Sequence, residues 1–289
     1  VKRIGQTPHT SFFEKLIGGE EDEYTFIPIT SYQIKSDSIY YQKYIDEGIT
    51  EPGIMPLKLL ANSPVITQTY YAGTDKFGRD ILSRLIIGTR VSLSVGLIAV
   101  LIASGIGIIL GALAGYYKGK TDAVIMWIVN VTWAIPTLLL VFALTMALGK
   151  GFWQIFIAVG LTMWVEVARV VRGQVISEKN KDYIVATKVL GFSDLRVFFK
   201  HLIPNIIGPI LIISAANFAS AILIESGLSF LGIGTQPPIP SWGSMIKDNY
   251  QYIILGKAYL AVIPGIAIML LVTSFMFLGN NLEEYFKFK

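Results

Sequence analysis

Cysteine is absent from the 289 residues, which removes both disulfides and thiolate metal sites. Histidine is nearly absent: His9 and His201 lie far apart in sequence, and two such residues make no His-rich metal site. Charge is scarce as well. Asp, Glu, Lys and Arg make up 15% of the chain, against about 25% in a soluble domain. Paired carboxylates and a Ser/His/Asp set are missing, which argues against an intramembrane enzyme. No signal-peptide h-region follows Val1, and the chain reads as a processed or truncated product.

Apolar side chains fill the gap: 53% of residues are hydrophobic and the mean hydropathy is +0.58. The charge that exists is unevenly placed. Residues 1–90 hold ten Lys/Arg and eleven Asp/Glu, whereas the other 199 hold fourteen and nine. The net positive charge therefore sits between apolar runs, where it acts as a topology signal rather than a nucleic-acid surface. A helix crosses the hydrocarbon core in roughly 20 apolar residues. Five stretches qualify, at about 91–117, 123–149, 152–171, 202–224 and 258–282. Glu166 and Arg169 interrupt the third near one end, one helical turn apart, a spacing that predicts an interfacial ion pair.

Lys118 and Lys120, the run from Arg169 to Lys200, and Lys287 with Lys289 fall on one side of the five spans. Lys150, Lys247 and Lys257 fall on the other. The positive-inside rule puts the richer side in the cytoplasm, although Arg79, Arg84 and Arg90 run against it. Residues 1–75 then form an extracytoplasmic segment. Within it, 24–45 is rich in β-branched and aromatic residues and broken at Ser36–Asp37–Ser38, which predicts a hairpin or small sheet. Residues 76–90 predict an interfacial amphipathic helix, with Thr74 or Asp75 as N-cap. Residues 283–289 are left as a cytoplasmic tail. The closely spaced Gly105, Gly107, Gly111 and Gly115 predict tight helix packing, with a gating hinge as the alternative. Trp127, Trp153, Trp164 and Trp242 fit an aromatic belt. Gly119–Lys120–Thr121 matches the end of a phosphate-binding loop, but Ala114 replaces its first glycine and no strand precedes it.

The loop 172–204, between the third and fourth spans, is the most informative segment. Asp182 is placed to cap a helix over Tyr183–Leu190, and Gly191 falls at C′. Ser193 or Asp194 is placed to cap a second helix, in which Leu195, Phe198, Phe199 and Leu202 share one face and which Pro204 ends. A basic, capped, amphipathic helix pair between membrane spans suits a docking element that passes force to a soluble partner.

At this loop the chain resembles the permeases of binding-protein-dependent ABC importers and their cytoplasmic EAA loop. The resemblance rests on Asp182–Tyr183, Ala186–Thr187, Gly191 and Leu202–Ile203–Pro204–Asn205; Val185 stands where the motif has Glu, and Thr187 where it has its second Ala. GTDKFGRDILSRLIIGTRVSLSVGL (Gly73–Leu97) and ESGLSFLGIGTQPPIPSWGSMI (Glu225–Ile246) are similar to the oligopeptide/dipeptide C-type group, which also includes nickel and glutathione carriers. The likeness covers about residues 73–280.

The resemblance implies an all-α polytopic membrane protein of the type I ABC importer fold, with a partly β extracytoplasmic segment at the N-terminus. It implies one permease subunit for peptides in a bacterial inner membrane; nickel or another small solute is the alternative, and a secondary transporter is a further one. The family carries six spans, one of them before the first external loop, so this chain is expected to begin after it. The implied partners are a homologous second permease subunit, two ATPase subunits, an extracytoplasmic binding protein and membrane lipid, with no nucleic acid. ATP and magnesium are expected on the ATPases, with no cofactor, metal or catalytic residue on this chain. The implied ATPase-coupling residues are Asp182, Tyr183, Ala186, Thr187, Gly191, Phe192, Leu195, Phe198, Pro204 and Asn205. Glu225, Asn217 and Asn130 are candidates for the substrate pathway or its gate, with Glu225 placed either to meet a peptide amino terminus or to mark the membrane boundary. Trp242, Pro237 and Pro238 are candidates for contact with the binding protein.

Overall fold

The computed structural model describes residues 2–4, 24–46, 48–61, 64–67, 69–75, 78–149, 152–235 and 239–287. Two small antiparallel sheets come first. Strand β1 (Lys2–Ile4) pairs with β2 (Tyr24–Phe26), and β3 (Ile29–Lys35), β4 (Ser38–Asp46) and β5 (Ile49–Pro56) form a meander. The expected break becomes a two-residue turn at Ser36–Asp37, with Ser36 at φ +53°. Strand β5 lies outside the expected hairpin because Pro52, Gly53 and Pro56 weaken its strand signal. Proline is tolerated there because β5 pairs only with β4 and so lies at an edge. The meander buries little beyond Ile39 and Leu60.

Helix α1 (Ile81–Tyr117) runs for 37 residues without interruption. At 1.5 Å per residue it is about 55 Å long, more than the roughly 30 Å hydrocarbon core requires. The separate amphipathic helix expected over 76–90 is instead its first turns. The cap is Asp80, whose carboxylate accepts from the amides of Leu82 and Ser83 at 3.2 and 3.0 Å. Asp75 is engaged elsewhere, accepting from Arg79 Nε at 2.7 Å. Lys76 and Phe77, part of that expectation, lie outside the described residues.

Lys118 and Gly119 both take positive φ and turn the chain back into α2 (Gly119–Trp133). Pro136 then starts α3 (Thr137–Leu148), bent 92° from α2. The missing proline N–H and its fixed φ explain the break. Helix α4 (Phe152–Glu178) recrosses the bundle and runs seven residues past the stretch read from hydropathy. The helix pair follows as α5 (Asp182–Val189) and α6 (Asp194–Val197). Pro204 does not end the second helix. A π-turn over Phe198–Leu202, closed by Ile203 N–H on the Phe198 carbonyl, carries α6 into α7 (Ile203–Phe230). The i→i+5 geometry makes room for a ring that an α-helix would drive against the carbonyl of Lys200. Then come α8 (Trp242–Asn249) and α9 (Tyr259–Lys287). Among the described residues, α1, α4, α6–α7 and α9 are each long and apolar enough to cross a membrane, and α2 with α3 makes a fifth, broken candidate.

Helices α1 and α4 form the centre. Gly107, Gly111 and Gly115 lie one turn apart and face Trp164–Val167, Ala168–Val171 and Arg172–Val175, which advance in the same direction. The two helices therefore run parallel with their backbones nearly touching, and a Cβ on Gly115 would sit 2.8 Å from the Arg172 carbonyl oxygen. Gly105 is different, with nothing within 4 Å of an added Cβ. Around this seam pack Val91, Val95, Ala99, Phe156, Val159 and Trp164. Trp164 is thus a core residue rather than part of an aromatic belt. Helix α7 lies on both central helices, and α9 closes on α7 through Phe218 stacked on Phe275, with ring centroids 3.8 Å apart.

Candidate functional site

One end of the bundle carries most of the basic residues and the α5–α6 corner. Helix α5 closes with a Schellman motif: Phe192 N–H donates to the Thr187 carbonyl at 3.0 Å across Gly191, which takes φ +73°. Asp182 is the first helical residue, and the Lys181 carbonyl accepts from Ile184 and Val185. Ser193 provides the backbone N-cap of α6. The Asp194 carboxylate instead accepts from the Tyr116 hydroxyl at the end of α1.

Polar contacts tie this corner to the membrane helices. Glu178, ending α4, accepts from Lys181 Nζ and the Tyr183 hydroxyl, both at 2.6 Å. Partial removal from water and the bond to Glu178 push the Tyr183 phenol up to about 12, so it stays a donor throughout the physiological range. Lys179 caps the end of α1 by donating to the Tyr116 carbonyl. Arg172 grips Asp122 with two bonds of 2.5 and 2.6 Å, joining α4 to α2.

The apolar residues of the corner divide into two sets. Ile184, Val197 and Leu202 are fully buried with Val171, Val175 and Ile206, and Thr187 is buried beside them, its hydroxyl on the Ile184 carbonyl. Phe192 lies against His201 and under Arg196, and Phe198 packs at the edge of the same cluster. Pro204 lies in the first turn of α7, and Asn205 donates to the His201 carbonyl at 2.6 Å. Facing outward are Tyr183, Val185, Ala186, Val189, Leu190, Leu195 and Phe199; Val189 is 83% exposed and Leu195 72%. The helical face expected over Leu195, Phe198, Phe199 and Leu202 is therefore split. The π-turn rotates Leu202 inward while Leu195 and Phe199 stay at the surface.

At the opposite end Asp75 and Asp248 hold Arg79 and Arg84, at 2.7 to 3.9 Å, and fasten the approach to α1 onto α8. Trp242 is buried against Gly88, and its indole N–H donates to the Leu85 carbonyl at 2.9 Å, so the ring holds α8 to α1 and shows almost nothing to the surface. Pro237 and Pro238 lie outside the described residues. Glu225 is fully buried, takes a 2.6 Å bond from Ser229, and through Ser229 joins Thr235; it anchors the segment after α7. Asn217 is buried between α7 and α4 and reaches the Met163 carbonyl at 3.4 Å.

The expected Glu166–Arg169 pair does not form. Arg169 donates to Asn130 at 2.8 Å and stacks 4.0 Å above the Trp133 ring, so both neighbours on α2 outcompete the residue one turn away. Asn130 thereby joins helices. Glu166 is left with no ion pair among the described residues. It lines a cavity at the α2–α3 break. Periodicity around Tyr116, Asp122 and Glu178 carries no signal of their distant partners.

A bundle of apolar helices long enough to cross a membrane, with one bent pair and a short helical corner at its basic end, makes a polytopic membrane domain. The same arrangement occurs in the inward-facing MetNI methionine ABC transporter, with a TM-score of 0.58 at 17% identity over 71% of this chain and 97% of that one. The fold is that of a type I ABC importer permease. The family model of the binding-protein-dependent transport system inner membrane component matches residues 107–287. Similar proteins include the dipeptide transport system permease protein DppC of Bacillus subtilis (strain 168), 40% identical over 215 residues, 74% of this chain and 67% of that protein. They also include the glutathione transport system permease protein GsiD of Pectobacterium atrosepticum, 36% identical over 218 residues, 75% of this chain and 72% of that one. The chain belongs to the permease subunits of binding-protein-dependent ABC importers, in the oligopeptide/dipeptide group.

Proposed function

We propose that this subunit forms half of a peptide pathway across a bacterial inner membrane and couples it to a separate ATPase through the α5–α6 corner. The observation that carries this reading is the division of the corner. Ile184, Val197 and Leu202 lock it into the bundle, while Val185, Val189, Leu190, Leu195 and Phe199 form an apolar surface outside it. Exposed apolar patches of this kind mark interaction sites. Val185 in place of a motif Glu suits apolar docking rather than a charge contact. The basic end then faces the cytoplasm, and the α8 end faces an extracytoplasmic binding protein. A homologous permease subunit supplies the other half of the pathway. ATP and magnesium belong to the two ATPase subunits; Gly119–Lys120–Thr121 opens α2 straight after α1, with no strand and loop to cradle a phosphate. The dipeptide and glutathione permeases among the relatives support peptide over nickel as the cargo.

Substituting Leu195→Asp together with Phe199→Asp tests the docking surface. Both side chains are largely exposed, at the edge of an open apolar groove beside Tyr116 and Tyr117, and neither belongs to the buried core, so the variant is expected to insert and remain monodisperse in detergent. It is expected to lose co-purification with the ATPase subunits and at least about tenfold of ATP-dependent uptake, since desolvating each unpaired carboxylate at an apolar contact costs more than 1.4 kcal/mol. Retention of ATPase binding at the parental level contradicts the assignment.

A further inference from the structure

We propose that the cavity at the α2–α3 break receives the α-ammonium group of the transported peptide, with the Glu166 carboxylate as its counter-ion. The inference rests on the peptide-importer reading and adds a recognition site within the membrane domain.

Four observations support it. The first is position: Glu166 lies about 21 Å along α4 from Phe152, inside the apolar stretch 152–171 and toward its basic end. Ionisable groups within a membrane-crossing stretch face a cavity or a partner. The second is its lack of a partner within the chain. Among the described residues no cation pairs with Glu166, and Arg169, the cation one turn away, is held by Asn130 and Trp133.

The third observation is the cavity, of about 250 Å³, lined by Glu166 with the hydroxyl residues Thr132, Thr137, Thr162 and Ser220 and with Trp133. Pockets that hold whole drug-sized ligands run from about 300 to 1,000 Å³, so this one suits one end of a peptide. Its walls supply a carboxylate and hydroxyl acceptors, which together recognise an alkylammonium ion. The fourth is the helix break. The C-terminal end of α2, with its partial negative charge, comes to the cavity at Thr132 and Trp133. Thr137, in the first turn of α3, brings an end of opposite sign, which favours a peptide carbonyl oxygen beside the ammonium. Broken membrane helices recur at solute sites in transporters.

The test uses the complete transporter in nanodiscs. Dicyclohexylcarbodiimide modification of Glu166 is followed by peptide mass mapping, alone and with dialanine or N-acetyl-dialanine. Dialanine is expected to slow modification about tenfold near saturation, and N-acetyl-dialanine, which lacks the cation, to leave it unchanged. Glu166→Gln is expected to abolish modification at this position and to lower dialanine uptake about tenfold, with Glu166→Asp restoring part of both. Equal protection by both peptides, or by neither, overturns the proposal. Protection that needs only assembly with the second permease subunit also overturns it, because the cation then comes from that subunit. A complex that shows no ATP-dependent dialanine uptake contradicts the importer reading instead, while the labelling comparison still reports on the cavity.

Discussion

Gly111→Leu is expected to prevent the membrane domain from folding into a stable, monodisperse particle. A Cβ at this position lands on the Ala168 carbonyl oxygen and within 3.0 Å of Ala168 Cα and Val171 Cβ. Two of those atoms are backbone and cannot rotate away. The only relief is to separate α1 from α4, which also opens the contacts at Gly107 and Gly115 one turn to either side. Overpacking a single site costs about 1–3 kcal/mol, and a seam that must move as a unit costs at least the upper figure. Gly105→Ala is the control on the same helix, because its Cβ meets nothing and the substitution gains up to about 1 kcal/mol of helix propensity. Size-exclusion profiles and thermal unfolding in detergent separate the two variants. An unchanged midpoint for Gly111→Leu contradicts the close approach of the helices.

Gly191→Val is expected to fail at a later step. The residue has φ +73° with no atom within 4 Å of an added Cβ, so space is available and only backbone conformation is penalised. A β-branched residue in the left-handed region costs about 1–2 kcal/mol, which biases the α5–α6 corner away from its Schellman closure. Ile184, Val197 and the Glu178–Tyr183 bond still hold each half to the bundle, so insertion and folding persist. Coupled uptake is expected to fall about tenfold, the factor that corresponds to 1.4 kcal/mol. Gly191→Asn, which tolerates positive φ, is expected to keep most of it. Normal uptake by the valine variant contradicts a rigid corner as the coupling element.

Local patterns were the legible part. Apolar runs marked the membrane-crossing helices, and Gly191 marked the C′ position of α5 because that requirement lies within a few residues of chain. Alternation and a polar break announced a sheet before α1, although the prolines of β5 concealed its third strand. Choices that depended on a distant partner were not legible. The i,i+3 spacing favoured a Glu166–Arg169 pair, but Asn130 and Trp133 arrive from another helix and take the arginine. Pro204 marks a helix stop by local rules, and the π-turn before it allows the helix to continue. Trp242 reads as a surface contact from its place in the external loop, yet burial against Leu85 and Gly88 turns it inward. The length of α4 is equally hidden, because the helix continues to Glu178 beyond its apolar stretch, held there by Lys181 and Tyr183. Hydropathy reports the part of a helix that lipid touches and not the length over which side-chain bonds extend it.

The proposed function requires that peptide cross the membrane only when an ATPase drives the α5–α6 corner of this subunit. Uptake of radiolabelled dialanine into proteoliposomes measures this directly, comparing the subunit alone with the complex that also contains the second permease, the ATPases and the binding protein. Uptake is expected only from the complex and only with hydrolysable ATP. Accumulation by the chain alone, or by the complex without ATP, contradicts the account.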